Sequence, residues 1–133
     1  MKYLSAFAVT FCFYLSSLHF ANAAQPFDGT WKNQRGSTLI IHQVSETEFS
    51  GKFKTAVATT KSCIGFPIKI HGFKNGNAIA LSMSLKECGS PTTISMVGSI
   101  NNNQLDTLYL VQEKGKDAWN SRATNHDTYS RIR

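Results

Sequence analysis

Beyond Ala23 the chain has no apolar run long enough to cross a bilayer as a helix. It also lacks a helical hydrophobic period, an internal repeat and a low-complexity tract from Ala24 onward, which leaves short alternating segments as the only organised pattern. Blocks of like charge are missing too. Lys and Arg exceed Asp and Glu to give a net charge of +6, but Lys52, Lys54, Lys69, Lys74 and Lys86 stand singly between apolar positions. A nucleic-acid groove needs clustered cations interleaved with exposed aromatics, so this spacing excludes nucleic acid as a partner and describes a solvated outer face.

The usual marks of catalysis are equally scarce. No Gly-x-Ser-x-Gly elbow is present. His42, His71 and His126 follow the leader, two of them within strand patterns, with no zinc-ligand spacing among them. Carboxylates cannot be paired from spacing alone. The expectation is a protein that is not an enzyme and uses no metal or cofactor.

What the sequence does hold begins with a leader. Met1-Lys2 is a basic start, Leu4 to Leu18 an apolar run, and Ala21-Asn22-Ala23 a small-residue cleavage pattern. Residues 1–23 therefore read as a secretory signal peptide and residues 24–133 as one small mature domain. Export to a periplasm or to the extracellular space follows, with no membrane association. Of the 3 cysteines, Cys12 leaves with the leader. Cys63 and Cys88 remain in two polar stretches of an exported chain, which favours a disulfide between loops over a pair of free thiols.

Alternation and turn signals predict strands near Gly29–Asn33, Thr38–Val44, Glu48–Thr55, Pro67–Phe73, Ala78–Leu85, Thr92–Ile100, Gln104–Gln112 and Trp119–Ile132, the last interrupted near Asn125. Asn75-Gly76 reads as a type I′ hairpin turn, with further turns at Asn101-Asn102-Asn103 and Glu113 to Lys116. Sequential hairpins suit an all-β, eight-stranded antiparallel up-and-down β-barrel, a closed form with room inside for one small ligand. In that topology the loops carrying Cys63 and Cys88 leave the barrel at the same end, and a bridge between them ties two lids over its mouth.

Gly29 to Ser37, reading Gly-Thr-Trp-Lys-Asn-Gln-Arg-Gly-Ser, is the most informative stretch. Asn33 and Ser37 flank a bend at Gly36, so both can aim at one acceptor oxygen inside a pocket. The alternative is that Asn33, Gln34 and Ser37 only satisfy turn backbone. Asp127 lies in the last strand, which closes the barrel beside the first and so brings it near Asn33. Turned inward, it needs donors, because an unpaired buried charge is expensive.

These residues resemble the avidin–streptavidin family across nearly the whole mature chain. The match runs through Gly29 to Ser37, Gly51-x-Phe53-x-Thr55-Ala56-Val57, Ser90-x-Thr92, and Ala118-Trp119 leading to His126-Asp127-Thr128-Tyr129. The resemblance implies a barrel that binds biotin, as a homotetramer or homodimer. It further implies that Asn33 and Ser37 donate to the ureido oxygen and that Asp127 and Thr55 accept from the ureido N–H groups. Thr92 would approach the ring sulfur, and Ser90 with the Val57–Phe66 loop the carboxylate tail.

Two departures stand out. Phe53 takes the place of a tyrosine donor. The aromatic box corresponds to Leu85, Ile94, Tyr109 and Trp119, with only Trp119 kept. Its retention favours the tetramer, while the cysteine pair is similar to bacterial members that are dimers. A missing donor and smaller walls together imply capture weaker by ~4–8 kcal/mol than in typical members. The competing classes are a barrel for another small ligand, an interaction protein using its outer face or the Phe66-Pro67 lid, and a hydrolase acting through Asp127.

Overall fold

The computed structural model describes residues 27–132 except 87, 116, 118 and 119. The leader over residues 1–23 and Trp119 lie outside the described residues. Eight strands follow one another: β1 (Gly29–Asn33), β2 (Thr38–Gln43), β3 (Glu48–Lys54), β4 (Ile68–Asn75), β5 (Ala78–Leu85), β6 (Thr92–Asn101), β7 (Gln104–Glu113) and β8 (Arg122–Ile132). Each pairs antiparallel with the next, and β8 returns to β1 to close the barrel. The up-and-down barrel expected from the alternation is therefore the fold.

Closure is made by Asn33 opposite Tyr129 and Trp31 opposite Arg131. Inward residues follow the period of two that a pleated strand imposes. Trp31, Leu39, Ile41, Phe49, Leu105 and Tyr129 are fully buried, and Phe27 meets the Phe49 ring edge-on with centroids 4.8 Å apart. Trp31 Nε1 donates to the Phe27 carbonyl at 3.3 Å, so the indole stays hydrogen-bonded inside the core. The Arg131 guanidinium lies 4.3 Å from the centroid of the same indole. Gly72 gives Phe49 its space: a Cβ there would fall 2.5 Å from the ring's Cζ.

Local details correct three expectations. The β4–β5 turn is Gly76-Asn77, with Asn75 still paired to Ala78. Gly76 alone takes positive φ, at 59°, the pattern of a type II′ turn and not type I′, because only the first central residue needs the freedom of glycine. Strand β8 is continuous through Asn125, which pairs with Tyr109; its run of polar residues is exposed and never breaks the ladder. Strand β3 ends at Lys54, and Thr55 makes instead an isolated parallel bridge to Ile64. That bridge folds the β3–β4 loop back on its own base, where Gly65 N–H donates to the Thr55 carbonyl at 2.8 Å.

Candidate functional site

The site starts from the β1–β2 turn. Gly36 takes φ of 92°, which lets the chain reverse while Asn33 and Ser37 remain close enough for Asn33 N–H to donate to the Ser37 carbonyl at 2.9 Å. Asn33 Oδ1 accepts the backbone N–H of Ser37 at 2.8 Å and of Arg35 at 3.1 Å. Its Nδ2 donates across the barrel seam to Asp127 Oδ2 at 3.0 Å. Ser37 Oγ accepts from Ala56 N–H at 2.9 Å. The turn-backbone role of Asn33 and Ser37 is thus realised. The acceptor atoms of both side chains fix the backbone.

Asp127 is buried, and it is well supplied with donors. Gln34 Nε2 donates to Oδ1 at 3.1 Å, while Gln34 Oε1 accepts Thr128 N–H at 3.2 Å. The Arg35 guanidinium pairs with the same Oδ1 and donates to Tyr109 Oη at 2.7 Å. The hydrogen bond to Asp127, and then that to Tyr109, raise the Arg35 pKa above its ordinary value. Beside them Tyr129 is fully buried with no hydrogen-bond partner for Oη among the described residues. Burial first, and the Asp127 charge second, push its phenol above the ordinary tyrosine range.

These groups face a cavity of about 540 Å³ in the end of the barrel formed by the β1–β2, β3–β4, β5–β6 and β7–β8 connections. That size lies within the roughly 300–1,000 Å³ of small-molecule sites. Asn33, Ser37, Phe53, Thr55, Val57, Leu85, Ser90, Thr92, Ile94, Tyr109 and Asp127 all line it. Every described candidate residue is thus brought to one place; Trp119 is outside the described residues.

Some hydroxyls are already engaged. Thr55 Oγ1 donates to the Val57 carbonyl at 2.6 Å, and Thr92 Oγ1 to that of Ser90 at 2.9 Å. Cys63 and Cys88 form a disulfide with Cα atoms 5.2 Å apart, and both cysteines line the cavity. The bridge joins the β3–β4 and β5–β6 loops at the mouth, as their shared end of the barrel requires.

Sequence reasoning passed over Arg35, Met83, Met96, Val111, Glu113 and Tyr129, which also line the cavity. Alternation carries the signal for most of them: Met83 lies between Leu81 and Leu85, Met96 follows Ile94, and Tyr129 follows Asp127 on the inward face. Arg35 sits in a turn, where no period applies.

Comparison with known proteins agrees with this geometry. Apo shwanavidin superposes with a TM-score of 0.70 at 24% identity, over 82% of this chain and 99% of that one. The bradavidin2–biotin complex gives 0.69 at 24% identity, over 82% and 100%. The biotin complex of a shwanavidin variant gives 0.69 at 26% identity, over 82% and 100%. No curated protein matches the chain. The model of the Avidin family matches residues 21–132, and the chain belongs to the avidin family.

Proposed function

We propose that this is an exported, non-enzymatic protein that captures biotin without covalent chemistry. The observation that carries the reading is the convergence of Asn33, Ser37, Thr55 and Asp127 on one cavity. Asn33, Ser37 and Asp127 are buried there and Thr55 half-buried, and a cyclic urea offers such a set both an acceptor oxygen and N–H donors. In this reading Asn33 and Ser37 donate to the ureido oxygen, while Asp127 and Thr55 accept from its N–H groups. Thr92 approaches the ring sulfur, and Ser90 and Val57 meet the valeryl tail. Leu85, Ile94, Tyr109 and Trp119 form the walls.

Phe53 supplies no hydroxyl and the walls are smaller than an aromatic box, so the affinity is lower than in typical family members. The same aliphatic walls favour, as a second reading, an avidin fold adapted to a different small ligand. Assembly as a homotetramer, with a homodimer as the alternative, is supported by exposed apolar residues on the outer face: Val97, 53% exposed, sits opposite Leu108, 55% exposed, near Leu110. Size-exclusion chromatography of Leu108→Glu tests it, since a charge on the contact should reduce the assembly.

A ligand bound only by the native state raises apparent stability, by about 2.7 kcal/mol at a hundredfold excess over Kd. Thermal melting with saturating biotin should therefore shift upward by several degrees. No shift would leave the second reading in its place.

A further inference from the structure

Arg35 is the one cationic side chain among the described residues that line the cavity. Its guanidinium occupies Asp127 Oδ1 together with Gln34, and Asn33 occupies Oδ2. A carboxylate offers about four lone-pair positions, so the acceptor that would hold a ring N–H is largely taken before any ligand arrives. The three donors are not equally fixed. Asn33 is clamped by two backbone N–H groups and Gln34 by Thr128 N–H. Arg35 has a side chain 37% exposed, and its one other side-chain partner among the described residues is Tyr109 Oη. It is the donor that can withdraw.

We propose that Arg35 is an internal competitor for Asp127, a specificity-determining residue whose displacement sets the strength of ligand capture. The inference rests on the cyclic-urea reading above. A guanidinium is a planar group that presents N–H donors to a carboxylate, the same kind of contact that a ureido N–H makes. Binding therefore exchanges an ion-paired hydrogen bond, charged on both sides, for one in which only the carboxylate is charged, and the difference is subtracted from affinity. Ligands without a well-placed N–H donor cannot repay that exchange and are rejected. Capture is thereby weakened and made more selective by a single side chain of the turn that also supplies Asn33 and Ser37.

Arg35→Ala and Arg35→Lys test this, with calorimetric titration of biotin and the melting temperature of the unliganded protein as paired readouts. The ion pair contributes to the unliganded fold, so Arg35→Ala should melt lower. It should nevertheless bind biotin about ten- to a hundredfold more tightly, the equivalent of one charge-assisted hydrogen bond released. Arg35→Lys, which keeps the charge but loses the planar fork, should fall between the two. A structural role alone would move stability and affinity in the same direction. Wild-type binding with unchanged or weaker binding in Arg35→Ala overturns the inference and leaves the cyclic-urea reading intact. Absence of biotin binding in wild type and both variants overturns the reading and the inference together.

Discussion

Asn33 Nδ2 donates to Asp127 Oδ2 at 3.0 Å across 94 positions of sequence, joining the first strand to the last at the point where the barrel closes. The same amide's Oδ1 holds the β1–β2 turn. One side chain thus fixes the geometry of the turn, the orientation of the carboxylate and the rim of the cavity.

Asn33→Asp separates those duties. The isosteric carboxylate keeps both turn acceptors but removes the donor and sets a like charge against Asp127. Leaving a buried charged group without its hydrogen bond costs about 1–3 kcal/mol, with the repulsion in addition. The urea midpoint should fall accordingly at neutral pH, and biotin binding should be lost with it. An unchanged midpoint would mean that the Asn33–Asp127 contact contributes nothing to closure.

Tyr129→Phe is expected to stabilise the protein. Its buried Oη has no partner among the described residues, and removing such a group recovers about 1 kcal/mol, which corresponds to a melting temperature higher by roughly 4–8 °C in a domain of this size. The pH dependence carries the same sign. The phenol of the folded state holds its proton more tightly than that of the unfolded chain. Its contribution is therefore fully present below the ordinary tyrosine value of about 10 and is lost as pH rises beyond it. Wild type should lose stability more steeply than Tyr129→Phe above that pH, measured by urea unfolding across the alkaline range.

The disulfide spans 25 positions between Cys63 and Cys88. Loop-closure entropy for a bridge of that span is worth about 3 kcal/mol. Reduction, or the Cys63→Ser/Cys88→Ser double variant, should lower the melting temperature by on the order of 10 °C. Biotin affinity should fall as well, because both bridged loops line the mouth. A variant that melts lower yet binds equally well would show that the loops take no part in holding the tail.

Phe53→Tyr returns a hydroxyl to a residue that lines the cavity and sits opposite Leu39. A further donor to the ureido oxygen should tighten biotin binding by about tenfold, the equivalent of one net hydrogen bond. Titration calorimetry reads this directly, and unchanged affinity would place the ureido oxygen out of reach of position 53.

The fold was legible because alternation is a strong signal when each strand has one buried face. Trp31, Leu39, Ile41, Phe49 and Leu105 recur at even spacing and are all fully buried. Asn33, Ser37 and Asp127 were legible through the spacing about Gly36 and the closure of the last strand on the first; the other candidates came from the resemblance to the avidin–streptavidin family. Turn chemistry was less so. Asn75-Gly76 and Gly76-Asn77 are both good turn pairs, and register between the strands, which sequence spacing does not reveal, decides between them. Arg35 escaped notice because a cation in a turn ordinarily points to solvent; it reaches Asp127 only because strand closure sets β8 beside that turn. Tyr129 entered only as part of a motif, and the state of its hydroxyl emerges only from the packing around it.

Parallel calorimetric titration of biotin into the wild-type protein and Asp127→Ala tests the central claim most directly. The account predicts one saturable site per chain in wild type and affinity at least about a hundredfold weaker in the variant, the cost of losing a buried charged acceptor. Equal binding by the two proteins would contradict it, as would a flat titration of wild type.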